Sequence, residues 1–106
     1  MNSYYTFASV AKENTHMIIE LTRFRAGREA LLAARPAMLA DFRTDRPGFI
    51  GARLVELPDH EWLDVVEWRS AADLALSRER GANLPGIAGF FSAIDELIVS
   101  EEGPAS

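Results

Sequence analysis

The stretch Arg46-Pro47-Gly48-Phe49-Ile50-Gly51 constrains this chain most, together with Val66-Glu67-Trp68-Arg69-Ser70 about twenty residues on. Proline presets φ for the second position of a type II turn, and glycine accepts the positive φ of the third. Pro47-Gly48 therefore launches one apolar strand, and a second strand ends in Trp-Arg-Ser where a helix begins. A hairpin held between two helices is the middle of a β-α-β-β-α-β unit. Trp68 then sits where the sheet hands over to a helix, a place where a pocket can open.

The flanking segments complete the unit. His16 to Phe24 alternates, with Ile18, Glu20, Thr22 and Phe24 on one face and Met17, Ile19, Leu21 and Arg23 on the other. Ala26-Gly27 turns into a helix reaching about Arg43, with Leu31, Leu32, Met38, Leu39 and Phe42 at helical spacing. Pro36 removes a backbone donor inside it and predicts a kink or short break near Ala34-Arg35. Phe49–Leu57 and Glu61–Arg69 are the hairpin strands, reversed at Pro58-Asp59-His60. Ser70 with Asp73 resembles a capping box for a helix from Ala71 to about Arg80, stopped at Gly81. Leu84-Pro85-Gly86 opens a looser helical segment, and Leu97-Ile98-Val99 form the last strand.

This order predicts an α+β, ferredoxin-like domain: a four-stranded antiparallel sheet with its helices on one face. The domain spans residues 15–101, after an extension over 1–14 and before an end over 102–106 that frays. The extension carries Tyr4, Tyr5, Phe7 and Val10, enough apolar area to lie on the domain or on a partner subunit. The second sheet face is apolar too, and no segment remains to cover it. A second copy of the chain is the simplest cover. Several hundred Å² buried per subunit at about 25 cal/mol per Å² gives a gain of order 10 kcal/mol before association costs. A homodimer is expected, its two sheets pairing into a dimeric α/β barrel.

Composition narrows the function. With 106 residues there is room for one small domain, and a net charge of -5 argues against a nucleic-acid surface. The chain has no cysteine, which removes disulfides, thiol nucleophiles and thiolate metal sites, and fits a cytoplasmic protein. No apolar run is long enough to span a membrane, and the first residues lack the pattern of a leader. His16 and His60 stand far apart, one at a strand start and one in a turn, so no metal site is expected.

The strand Met17-Ile18-Ile19-Glu20-Leu21, the turn Arg46-Pro47-Gly48-Phe49, Glu67-Trp68-Arg69-Ser70-Ala71-Ala72 and the Leu84-Pro85…Phe90-Phe91 segment carry a further signal. Through them the chain, from Met17 to Val99, resembles the antibiotic biosynthesis monooxygenase branch of the dimeric α/β-barrel superfamily. The resemblance implies oxidation of an activated phenolic or polyketide-like substrate by O2, with no metal or flavin. The substrate supplies the electrons, and the protein binds, orients, deprotonates and excludes water. The haem-degrading branch needs a histidine on the helix after the Trp strand and an asparagine near Glu20. This chain offers Leu74, Leu76, Ser77 and Arg78 on that helix, which disfavours haem degradation.

Two residues are expected to be catalytic. Trp68 offers a flat wall to an aromatic ring and one N–H to a carbonyl or peroxide, the plainer alternative being a core tryptophan. Asp64 shares its sheet face with Trp62, Val66 and Trp68, and a carboxylate aimed into an apolar layer is a candidate base. Its plainer role is an ion pair with an arginine from a neighbouring strand. Some relatives carry an amide near this place, so the carboxylate is a departure. Glu20, Met38, Phe42, Leu74, Phe90 and Phe91 are expected to bind substrate, Glu20 at a pocket edge or dimer seam. Arg53 and Arg69 are candidate partners for Glu67 or Asp64, and the hairpin register decides whether Arg53 sits beside Val65 or Val66.

The leading expectation is a cofactor-independent monooxygenase turning an anthrone-like substrate into a quinone. The same pocket could run a polyketide cyclisation or dehydration. If Phe90 and Phe91 fill the space beside Trp68, a dimeric binding protein without catalysis is the better reading.

Overall fold

The computed structural model describes residues 16–106, so the extension expected over 1–14 lies outside the described residues. Its elements are β1 (Ile18–Ala26), α1 (Arg28–Asp45), β2 (Phe49–Glu56), β3 (Glu61–Trp68), α2 (Ala71–Arg80), α3 (Pro85–Ser92) and β4 (Ile94–Pro104). The strands form one antiparallel sheet in the order β2-β3-β1-β4. This is the expected ferredoxin-like unit, with α3 inserted before the last strand.

The turns follow their residues. Gly48 sits at φ 80° and Phe49 donates its N–H to the Arg46 carbonyl at 3.2 Å, as a type II turn requires. A side chain at Gly48 would also collide with the carboxylate of Asp73 on α2, so the site needs glycine twice over. Asp59 and His60 both adopt positive φ between Pro58 and Glu61, the conformation that matches hairpin twist. Pairing then places Arg53 opposite Val65, on the face away from the helices.

Two expectations need correcting. Pro36 does not break α1, which runs unbroken from Arg28 to Asp45. Pro36 and Leu32, the residue whose carbonyl loses its partner, both face solvent, where water can take the bond. The last strand is also much longer than Leu97–Val99, and the end expected to fray over 102–106 is strand as far as Pro104. It pairs with β1 as far as Ile18↔Pro104, and Ala105 donates to the Met17 carbonyl at 2.9 Å. The open edge of β1 offers ladder groups that must be paired, and proline is tolerated because β4 is itself an edge strand.

The core lies between sheet and helices. Leu31, Met38 and Phe42 of α1 pack with Phe24, Trp62 and Ile87, and a smaller cluster joins Ile18, Val66, Trp68 and Leu74. The looser segment expected at Leu84 is a regular helix tied to α1, where Asp41 Oδ2 accepts the N–H of Gly86 at 2.7 Å. Any side chain at Gly86 would run into the Ala37 backbone, so α3 crosses α1 at close range. No helix among the described residues is long and apolar enough to cross a membrane.

Candidate functional site

Alternation along β3 turns Trp62, Asp64, Val66 and Trp68 toward the helices, and all four are buried. Across the sheet Asp64 stands opposite Thr22, which stands opposite Ser100; one rung along, Val66, Glu20 and Glu102 line up in the same way. This surface floors a cavity of about 400 Å³, within the usual range for a small-molecule site. Met38 and Phe42 of α1, Leu74 of α2, and Phe90 and Phe91 of α3 form its walls. The eight residues named from sequence (these five with Trp68, Asp64 and Glu20) thus line one space. Phe90 does not fill it: its ring turns edge-on to Phe24 at 6.1 Å, while Phe91 is 46% exposed.

Trp68 is 1% exposed, with Phe42 and Phe49 at 6.0 and 5.7 Å between ring centroids. Its indole N–H donates to Glu20 Oε1 at 3.1 Å. The donor expected to meet a ligand carbonyl is therefore already engaged. The other Glu20 oxygen lies 3.6 Å from Arg78, which also pairs with Glu102. Trp62 is the structural tryptophan, donating to the Ala26 carbonyl at 3.0 Å outside the cavity.

Asp64 has a partner that the hairpin strands do not supply. Arg35 reaches down from α1, Nη1 donating to Oδ2 at 2.6 Å and Nη2 to Oδ1 at 2.8 Å, with its guanidinium 5.2 Å from the centre of the Phe90 ring. The two residues are 8% and 7% exposed, so this is a buried, bidentate ion pair. Each carboxylate oxygen keeps a lone pair for a ligand hydroxyl. Taking up a proton would strip Arg35 of its counter-charge inside the protein. The geometry suits Asp64 to orienting a ligand and leaves Glu20 as the less constrained carboxylate.

Sequence reading missed Arg35 and also Arg46, Thr22, Ser77, Arg78 and Ser100. Arg46 is buried and clasps three segments: Nε donates to Ser77 at 2.8 Å and Nη1 to Asn83 at 2.8 Å and Asp45 at 2.7 Å, and Nη2 bonds the Gly81 carbonyl. One signal could have found both arginines. Positions 31, 35, 38, 42 and 46 form a continuous helical stripe, so charges at 35 and 46 face the core.

Arg69 pairs not with Glu67 or Asp64 but with Asp73, Nε to Oδ2 at 2.9 Å. Burial acts to raise the Asp73 carboxyl, and hydrogen bonds from Arg69 and Ser70 outweigh it, holding it below the usual carboxylate range. His16 is exposed ahead of β1 and His60 is exposed in the hairpin turn, both outside this cavity.

The sequence matches no protein-family model and no curated protein. Its fold does match solved structures. SnoaB, a cofactor-independent oxygenase from Streptomyces nogalater, is 17% identical, with a TM-score of 0.62 over 86% of this chain and 92% of that one. A protein from Caulobacter crescentus, provisionally named an antibiotic biosynthesis monooxygenase, is 11% identical, with a TM-score of 0.65 over 93% and 98%. One from Chloroflexus aurantiacus with the same provisional name is 18% identical, with a TM-score of 0.58 over 85% and 93%. The chain therefore has the fold of the antibiotic biosynthesis monooxygenases.

Proposed function

We propose that this protein is a cofactor-independent monooxygenase that converts a planar aromatic or polyketide-type, anthrone-like substrate to a quinone with O2. The observation that carries the reading is the cavity: about 400 Å³ with largely apolar walls over a floor that Glu20, Asp64 and Trp68 all line. The shared fold with a cofactor-independent oxygenase supports it by analogy.

In this reading the substrate lies against Trp68 with its hydroxyl accepted by Asp64, which Arg35 holds still. Glu20 removes the acidic C–H proton, while the Trp68 N–H keeps its carboxylate aimed. The resulting enolate passes one electron to O2, and the radical pair combines at the same carbon into a peroxide. Loss of water leaves one oxygen atom as the quinone carbonyl and the other in water. The electrons come from the substrate, so no cofactor is required. Met38, Phe42, Leu74, Phe90 and Phe91 hold the rings and exclude water.

The working unit is a homodimer of the cytoplasm, which suits a chain without cysteine. Val55 and Val99 are exposed on the sheet face away from the helices, beside half-buried Leu63 and Val65. A cyclase or dehydratase would use the same cavity without consuming O2. Oxygen uptake matched to quinone formation separates the readings, and uptake without added cofactor is expected.

A further inference from the structure

The polar side chains of the cavity floor fall on rungs of the sheet. Asp64, Thr22 and Ser100 come from three successive strands, β3, β1 and β4, and stand directly opposite one another. All three line the cavity, among Phe24, Val66 and Leu97. A hydroxyl on the core-facing side of a central strand forgoes apolar burial, and Thr22 sits on such a strand between Glu20 and Phe24.

Neither hydroxyl is fully engaged. Thr22 Oγ1 and Ser100 Oγ are 3.4 Å apart, beyond the usual span of a hydroxyl hydrogen bond, and among the described residues neither side chain bonds another partner. Asp64 differs, since Arg35 already bonds each of its oxygens once and fixes the carboxylate in place. Two hydroxyls therefore remain free to donate and accept toward whatever occupies the cavity. Met38, Phe42 and Leu74 of the walls can bond nothing polar, and the polar side chains beside them, Arg46 and Ser77, are bonded to each other.

We propose that Thr22 and Ser100 are specificity-determining residues that read oxygen substituents along one edge of a planar ring system. This rests on the reading of the cavity as an aromatic site and deepens it. A ligand oxygenated on the β4 side satisfies both hydroxyls, and one without oxygen on that edge strips them of water without replacement. The two hydroxyls thus set orientation as well as choice.

The test is equilibrium binding, read by quenching of tryptophan fluorescence and independent of oxygen chemistry. The probes are naphthalene and a naphthalenediol with both hydroxyls on one edge, titrated into wild type, Thr22→Val, Ser100→Ala and the double variant. Each substitution should lower the preference for the diol by between about twofold and tenfold, the worth of one hydrogen bond. Affinity for naphthalene should stay constant, which also reports an intact cavity. An unchanged preference, or equal weakening of both ligands, would overturn the assignment while leaving the aromatic site standing. Failure of wild type to take either ligand would overturn the aromatic site and this inference with it.

Discussion

At the scale of single residues, Arg35 and Asp64 are each the reason the other can sit in an apolar layer. Removing one leaves a buried charge without a counter-ion, which costs about 3–5 kcal/mol, whereas replacing both with apolar groups is often neutral or stabilising. Urea denaturation should therefore find Arg35→Met strongly destabilised and Arg35→Met/Asp64→Leu closer to wild type. A double variant no more stable than the single one would mean the pair is not the unit described here. Asp64 was legible in sequence because strand alternation is simple: every second residue from Trp62 to Trp68 shares a face. Its partner was not, because an arginine reads as solvent-facing until the stripe Leu31, Met38, Phe42 is extended through it. The engaged N–H of Trp68 was equally hidden, since it depends on Glu20 two strand positions from Ile18, the residue directly opposite.

At the scale of elements, the hinge between sheet and helix carries its own pH dependence. Ser70 caps α2 through Oγ, which accepts the Asp73 N–H at 3.2 Å, and Ser70 also donates to the Asp73 carboxylate at 2.9 Å. Because the folded-state pKa of Asp73 lies below its unfolded value, its stabilising contribution is complete above about pH 4. It is lost as pH falls through the lower, folded-state value. Thermal melts should show wild type losing more stability than Asp73→Asn on acidification through that window, and equal losses would refute the sign. Ser70→Ala should cost about 1 kcal/mol by the same measurement. The cap and both turns were legible because each depends on two or three adjacent residues. The full length of β4 was not: Gly103 and Pro104 argue locally for an end, and only the open edge of β1 makes a strand of them.

At the scale of the whole molecule, the cavity lies between the helices and one sheet face, with Trp68, Phe42 and Phe90 in its lining. The sequence pattern named its walls but could not reveal a void, since the same residues filling the same layer would read identically. The uncovered face predicts dimerisation. Sedimentation should give a dimer for wild type and a folded monomer for Val65→Glu, which sets a charge on a central strand of that face. A wild-type monomer would contradict the dimeric unit.

The central claim is that this cavity oxidises a substrate with O2 by means of Glu20. Its most direct test is oxygen consumption by metal-stripped protein given an anthrone, read beside quinone absorbance, for wild type, Glu20→Gln and Trp68→Phe. Uptake equal to quinone formed is expected from wild type, with a fall of about 10²–10⁴ in Glu20→Gln and a smaller one in Trp68→Phe. Turnover by wild type that Glu20→Gln leaves intact would contradict the assignment of the base, and no uptake above the spontaneous rate would contradict the claim itself.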